Sequence, residues 1–518
     1  MGDTLAPGAP PKRSPHFLIN VLWSWLGVAV SLSVGLLLNP YIVRKLGEER
    51  YGIWALVFAL LDYLWFFDLG FNTAVTNFCA RFQARSESRK INEVVNTALA
   101  YFGVVAVILM SLALLASMNV ARLFPSVRPE FQRDFALLVR ITGVSWGGFV
   151  MLHIFTSCLD GFQRFDLTTR AWVSTLLLRS VGWVVLLASG YGLVEMGILA
   201  AVAQFIGYSM NVWNFRRVFP EMRLAPEFVR AGMIREMVRY GVPSFLANSS
   251  NLLLNQSAPV MIGRFRSMAD VGFFTLPMRL LQNAVEAVSR VGLITRSTTA
   301  EREASGRKET VLHLGVYSNR YCFTLFTPLV LYLVIYGPEL IRIWITPSYA
   351  ESSAPLLPVL APAIAIALAG QFNSSAILFG LATHQRYAYA LMVEATLNVA
   401  GLWLAIPRFG ILGAAWVSAS LMVLVRGLYT PWLVCQSLEA SFAGYMRDIY
   451  LRPFATALPV WAIAAAVKWR WLPGRNWTEV IAGGALVAGL YLGLAFWTCF
   501  EPEHRRMLTE WVKRRLAR

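Results

Sequence analysis

FLINVLWSWLGVAVSLSVGLLLN, residues 17–39, runs for 23 residues without one Asp, Glu, Lys or Arg. A helix needs about 20 mostly apolar residues to cross the hydrocarbon core of a bilayer. In hydrocarbon only a helix or a closed barrel satisfies every backbone N–H and C=O. The stretch therefore reads as a transmembrane helix. It follows a Pro-rich polar leader with Lys12 and Arg13. It is too long for the apolar core of a signal peptide and lacks a small-residue cleavage site, so it is expected to be retained. Similar runs recur near 50–70, 92–116, 136–157, 172–189, 197–215, 242–262, 272–294, 314–336, 356–380, 387–406, 411–432, 454–470 and 479–499. Counted with the first, they make fourteen expected spans.

The composition agrees with this reading. Of 518 residues 57% are hydrophobic and only 14% are charged, whereas soluble domains carry about 25% charge. Mean hydropathy is +0.54. The fold class is all-α, a polytopic membrane protein. In a soluble chain the net charge of +17 would suggest nucleic acid. In a membrane chain it suggests cytoplasmic loops beside anionic lipid, and no nucleic-acid partner is expected. The five cysteines, Cys79, Cys158, Cys322, Cys435 and Cys499, are scattered in or beside apolar segments. They read as small buried hydrophobes. The five histidines are equally dispersed, and no metal site is expected.

With a cytoplasmic N-terminus, the cytoplasmic segments carry roughly twice as many Lys and Arg as the outer loops. Both termini then face the cytoplasm. Arg216, Arg217, Arg223, Arg230, Arg235 and Arg239 in the central loop contribute most, with Arg505, Arg506, Lys513, Arg514, Arg515 and Arg518 at the C-terminus. The expected organisation is a disordered N-terminus (1–16), an N-lobe of spans 1–6 (17–216) and a cytoplasmic linker (217–241). A C-lobe of spans 7–12 (242–432), spans 13 and 14 (433–499) and a basic tail (500–518) follow.

Four landmarks recur at nearly one offset. Tyr51-Gly52 and Val271-Gly272 are 220 positions apart, and Arg89-Lys90 and Arg307-Lys308 are 218 apart. Gln163-Arg164 and Gln385-Arg386 are 222 apart, and Tyr191-Gly192 and Phe409-Gly410 are 218 apart. Two six-span copies of equal orientation would be parallel repeats, an arrangement in which substrate sites lie near the bilayer midplane between the copies.

Charge inside a span is costly and tends to mark a pathway. In span 8, Arg279, Gln282, Asn283, Glu286 and Arg290 fall at i, i+3, i+4, i+7 and i+11, one helix face. Span 7 places Ser244, Asn248, Asn251 and Asn255 on one face, and span 1 does the same with Asn20, Ser24, Gly27, Ser31 and Gly35. Small and polar residues of this kind also serve as helix-to-helix contacts. Two arginines and a glutamate exceed what packing requires. Further charges stand at Asp62, Asp68, Arg140, Arg179, Arg320, Glu394 and Arg426. Some of these must pair with one another, and Arg140, Arg320 and Arg426 lie near span ends, where snorkelling competes. A guanidinium stays charged when desolvated and grips phosphate oxygens with two parallel hydrogen bonds. An arginine-rich cavity therefore suits a phosphorylated substrate.

No phosphate-binding GxxxxGK[ST] loop, GxGxxG unit or GxSxG elbow occurs. The longest polar loop, between spans 6 and 7, is too short for a catalytic domain. An enzyme and a bound cofactor are therefore not expected.

The segment NPYIVRKLGEERYGIWALVFALLDYLWFFDLGFNTAVTNFCARFQA (39–84) resembles the opening of lipid-linked oligosaccharide flippases of the polysaccharide and O-antigen type. These belong to the multidrug/oligosaccharidyl-lipid/polysaccharide (MOP) exporter superfamily. The resemblance rests on Leu46-Gly47, Tyr51-Gly52 and Asp68-Leu69-Gly70, then on Gly241-Val242-Pro243 before span 7 and Gly410-Ile411-Leu412-Gly413-Ala414-Ala415 before span 12. It implies two six-helix lobes around a cationic cavity that opens alternately to each side. The implied substrate is an undecaprenyl-pyrophosphate-linked oligosaccharide moved from the cytoplasmic to the outer leaflet. Other polysaccharide-assembly proteins are implied partners. It also implies, by likeness to lipid II flippases, a lipid-tail groove at spans 13 and 14 and a cation site at spans 7, 11 and 12. Glu394, Asn398 and Asn255 would supply that cation site, and coupling to Na+, to H+ or to the membrane potential stays open. On this reading Arg279 and Arg290 hold the pyrophosphate, with Arg179 a further substrate contact. Asn248, Asn251, Gln282 and Asn283 meet sugar, and Glu286 neutralises the arginines when the cavity is empty. The competing readings are a cation-coupled multidrug exporter and a membrane-embedded glycan polymerase or ligase.

Overall fold

The computed structural model describes residues 17–303, 308–380 and 384–516. The expectations placed on residues 1–16, Arg307 and Arg518 lie outside the described residues. All regular structure among the described residues is helical. The helices are, in chain order, α1 (Phe17–Leu46), α2 (Glu48–Asp62), α3 (Phe71–Ala84), α4 (Ser88–Met118), α5 (Val120–Leu123), α6 (Pro129–Gly161), α7 (Phe165–Ala188), α8 (Leu193–Val218) and α9 (Ala231–Phe265). They continue as α10 (Met268–Glu303), α11 (Lys308–Trp344), α12 (Pro347–Ser353), α13 (Leu357–Gly380), α14 (His384–Met422), α15 (Thr430–Leu438), α16 (Phe442–Arg470), α17 (Trp477–Thr498) and α18 (Pro502–Leu516). Each of the fourteen expected spans falls on helix. Ten helical stretches among the described residues are long and apolar enough to cross a membrane, and one of them, Gln385–Leu438, holds two of the expected spans. Gly410 separates those two at φ +61°, ψ −148°, a backbone state that only glycine adopts readily.

The helix after α1 is broken. From α2 the chain passes through a 3₁₀ turn, Tyr63–Asp68, and then Leu69 (φ +47°) and Gly70 (φ +77°) turn it into α3. A Cβ on Gly70 would lie 2.2 Å from the Gly241 carbonyl oxygen, so the two backbones touch. Asp68-Leu69-Gly70 and Gly241-Val242-Pro243, far apart in sequence, are thus two halves of one contact.

By internal contacts the chain divides into two units. The first holds residues up to Leu38, Phe67–Met118 and Leu137–Ser244. Its core is aromatic: Phe71, Phe102, Phe155, Phe162, Phe215 and Phe219 are buried, and Phe71 stacks on Tyr101 with ring centroids 3.8 Å apart. Cys79 and Cys158, expected as separate small hydrophobes, are buried side by side with sulfurs 3.7 Å apart. The basic linker is tied down on α4. Asn92 donates to the Glu221 carbonyl at 3.0 Å and accepts from the Arg223 N–H at 2.8 Å. Asn96 repeats this with the Arg223 carbonyl and the Ala225 N–H, and Thr97 accepts from the Arg230 N–H.

The second unit holds Asn39–Phe66, Asn119–Ala136 and the chain from Phe245 onward. Here α2 packs along α10. A Cβ on Gly52 would come 1.6 Å from the Met268 carbonyl oxygen, and one on Gly272 would come 2.6 Å from the Tyr349 hydroxyl and 3.1 Å from the Tyr51 ring. The repeat landmarks Tyr51-Gly52 and Val271-Gly272 are the residues that let these two helices approach. In the last turn of α1, Arg44 donates to the carbonyls of Ile343, Trp344 and Ile345 at the end of α11, satisfying groups that a helix C-terminus leaves open. The two extra C-terminal spans, α16 and α17, pack on α11 through Tyr336, Val460, Ala464, Val487 and Tyr491.

Candidate anion-binding site

In the second unit α2, α9 and α10 enclose a cavity of about 60 Å³ lined by Asp62, Asn255, Gln256, Thr275, Arg279 and Gln282, with Ala55, Phe58, Ala59, Pro259, Phe274 and Met278 as its apolar wall. That space admits a handful of waters, or the oxygens of one phosphate, and no sugar ring. The Gln256 side-chain amide donates to Asp62 at 2.7 Å. The Gln282 amide donates to the Asn255 carbonyl at 3.1 Å, and Asn255 donates to the backbone of Asn251 at 2.8 Å. Tyr63 and Ser257 share a hydrogen bond of 2.9 Å one turn further along. The positive charge of Arg279 acts on both Asp62 and Tyr51. The cavity thus presents one guanidinium and one carboxylate among amides that both donate and accept. The guanidinium can bind an entering anion while Asp62 keeps its hydrogen bond from Gln256.

The helical spacing of Arg279, Gln282, Asn283 and Glu286 holds, because α10 is continuous through them. Arg279 and Asn283 are half-buried, and Gln282 and Glu286 are exposed. Asn248 and Asn251 are exposed on α9. The Arg290 side chain lies outside the described residues, so Arg279 alone of the two expected anion-holding arginines is placed in the cavity. Arg179 belongs to the first unit, where its guanidinium sits 4.9 Å from the Trp183 ring centre. Glu394, Asn398 and Asn255 do not share hydrogen-bond partners. Glu394 is 1% exposed and pairs with Arg426 at 3.0 Å, so a guanidinium stands where a bound cation was expected. Arg426 lies in a π-helical turn, Val423–Tyr429. Asn398 accepts from Ser418 at 3.1 Å.

Two of the arginines near span ends do not snorkel. Arg320 is 2% exposed and binds Glu501 at 2.7 Å, and Arg426 is held by Glu394. Arg140 remains exposed.

The polysaccharide biosynthesis protein family matches residues 17–291, more than half of the chain. The chain belongs to this family. A Shigella flexneri protein named "Putative O-antigen transporter" is 20% identical over 432 residues, 80% of this chain and 96% of the relative. An uncharacterized membrane protein of Methanocaldococcus jannaschii is 20% identical over 443 residues, 82% of this chain and 85% of the relative. Among solved structures, the lipid II flippase MurJ in an inward closed conformation superposes with a TM-score of 0.72 at 11% identity, covering 92% of this chain and 98% of the other. An inward-facing multidrug resistance MATE family transporter of the MOP superfamily gives 0.67 at 14% identity, covering 82% and 99%. The fold is that of MOP-superfamily transporters.

In this polysaccharide biosynthesis family member, the polar cavity residues absent from the expected site are Asp62, Gln256 and Thr275. Asp62 and Gln256 belong to no polar stripe on their own helices, whereas Thr275 lies one turn before Arg279 on α10. The signal that could have found Asp62 is its charge opposite to the span 8 arginines, in a span with landmarks matching those of span 8.

Proposed function

We propose that this protein moves a lipid-linked oligosaccharide, carried on a polyprenyl pyrophosphate, from the cytoplasmic to the outer leaflet by alternating access. Both termini face the cytoplasm, and the protein works as a transporter rather than an enzyme. The observation that carries this reading is the placement of Arg279 in an amide-lined intramembrane cavity of a chain whose family is named for polysaccharide biosynthesis. Arg279 takes the pyrophosphate, and Asp62 stays on Gln256. Gln282, Asn283, Asn251 and Asn248 continue the polar face of α9 and α10 toward the glycan, and Glu286 restores charge balance after release. The O-antigen and lipid II transport named for the relatives supports the substrate class.

A second feature fits the lipid. Phe323, Thr327, Val330, Leu331, Val334, Pro362, Ala365, Ile366, Phe454, Ala457, Leu458 and Trp461 line an apolar groove of about 370 Å³ on α11, α13 and α16. A prenyl tail rests there while the headgroup is moved. An inside-negative potential favours outward movement of an anion by about 2.3 kcal/mol per charge per 100 mV, which gives the movement its direction. A cavity built on arginine is a poor host for the cationic drugs of a multidrug exporter.

The test is leaflet transfer of a lipid-linked glycan in proteoliposomes. Arg279→Ala should lower the rate roughly 10- to 150-fold, the worth of a hydrogen-bonded charged contact, with Arg279→Lys recovering part of it. Wild-type rates in Arg279→Ala, or covalent extension of the glycan without transfer, would sink the proposal.

A further inference from the structure

Beyond the last apolar span the chain continues as a helix of a different kind. α17 is long and apolar enough to cross a membrane and ends at Thr498, and after three residues α18 begins at Pro502. The turn between them is fastened to its neighbours. The Glu501 carboxylate takes Arg320 of α11 at 2.7 Å and Arg452 of α16 at 3.2 Å. The Glu501 N–H donates to the Tyr321 hydroxyl at 3.2 Å, and that hydroxyl shares a hydrogen bond of 2.7 Å with His504 Nδ1. The Phe500 ring stacks on Tyr321 with centroids 4.5 Å apart. Charge-assisted bonds of this kind are short and fix position, the more so where one guanidinium is buried. The first turn of α18 is therefore pinned at the end of α17.

One contact gives its depth and heading. Gly489, Gly493 and Trp497 are exposed at successive turns of α17, and nothing lies within 4 Å of a Cβ built on either glycine. That face meets lipid, and a tryptophan ending such a face sits at the level of the headgroups. The Arg505 guanidinium lies 5.4 Å from the Trp497 ring centre. So α18 starts over the lipid side of α17, at headgroup depth, with a cation at the edge of the bilayer.

The sequence of α18 suits that place. Residues 502–518 hold six Lys and Arg against two Glu. Positions 508 and 511, a leucine and a tryptophan in the sequence, follow His504 at i+4 and i+7 on one helix face. The face that begins against α11 thus continues as an apolar one, and Met507 beside it stands 68% exposed. Arg506, Thr509 and Lys513 are exposed on the other side. A basic helix with one apolar face is the pattern that lies in a membrane surface. An acidic protein would answer the charges and leave the Arg505 contact at the lipid edge without a purpose, whereas a lipid surface answers both.

We propose that α18 is an amphipathic arm lying along the bilayer surface, and that its partner is the anionic headgroup layer of the leaflet at which α17 ends. The pinned turn matters to the energetics. Held at one end, the arm meets the surface at a high effective concentration, so a short apolar face suffices. The ion pairs of Glu501 aim the arm, and anionic lipid holds it down.

The experiment places a nitroxide at Met507→Cys, or at Thr509→Cys, in the full-length protein in nanodiscs. The five native cysteines are buried, and the unsubstituted protein gives the background. Collisions with oxygen report lipid, and collisions with a water-soluble nickel chelate report water. In nanodiscs rich in phosphatidylglycerol, oxygen should dominate at 507 and the chelate at 509. In phosphatidylcholine alone, the oxygen-to-chelate ratio at 507 should fall at least about 5-fold, the worth of one cation at an anionic surface. Arg505→Gln/Arg506→Gln should lower it in the same direction over phosphatidylglycerol. A chelate-dominated label at 507 over anionic lipid would overturn the proposal, as would an oxygen-dominated one indifferent to lipid charge. Shielding of 507 by added polyglutamate in phosphatidylcholine, with none from phosphatidylglycerol, would overturn it in favour of an acidic protein partner.

Discussion

Asp62 and Asp68 stand six residues apart on one broken helix, and the two do different chemistry. Asp62 faces an arginine and a glutamine in the second unit. Asp68 faces an asparagine, a helix N-terminus and, through that asparagine, a histidine in the first. The first arrangement sets a carboxylate and a guanidinium along one cavity, the carboxylate held by a glutamine. The second holds its carboxylate on a helix N-terminus through one asparagine. What distinguishes them lies on other helices, α10 in one case and α6 in the other. The break at Leu69-Gly70, just after Asp68, puts that carboxylate at the head of α3.

The largest expected effect comes from removing the break itself. Gly70→Val places a branched side chain at φ +77° against the Gly241 backbone, and should cost several kcal/mol. It should abolish the monodisperse peak in fluorescence-detected size exclusion. If Gly70→Val elutes like wild type, the close approach of Gly70 and Gly241 does not hold the fold. Next comes Arg279→Ala, which removes the guanidinium from the cavity and should slow leaflet transfer roughly 10- to 150-fold, while melting close to wild type because Asp62 keeps its Gln256 partner. A large drop in melting temperature would overturn this separation of the two residues. Asn72→Ala, which cuts the amide links to Asp68, Ser157 and His153, should cost about 1–3 kcal/mol and leave glycan transfer sensitive to Arg279. Smallest is Asn96→Ala on α4, about 1 kcal/mol, detected as faster proteolysis within residues 221–230; an unchanged cleavage rate would refute the docking of the linker.

The spans, their helical nature and the polar face of α10 were legible, because a 20-residue apolar run and an i, i+3, i+4, i+7 pattern are local properties. The Gly52 and Gly272 landmarks read as marks of a repeat, and the structure gives them a different role, letting α2 and α10 approach closely. The pairing of Glu394 with Arg426 was less legible. Residue spacing on span 11 shows a carboxylate and an amide on one face, and says nothing of the π-helical turn that aims an arginine at them. The same holds for His153, a lone histidine whose meaning comes from Asn72, 81 positions away. Long-range hydrogen bonds of this kind leave no periodic trace. The basic linker read as a topology signal, and its anchoring on α4 rests on two asparagines that any helix face could carry.

That anchoring changes what the linker's charge can do. Arg223 and Arg230 are held by their own backbone groups on Asn92, Asn96 and Thr97, so their positions are fixed relative to α4. Positive charges on a loose loop average over many headgroups. Charges fixed in register with a helix end keep one pattern, and the Arg230 guanidinium is set beside the Glu93 carboxylate of α4, so the linker spends its charge on its own helix as a clasp rather than trailing it as a loose strap.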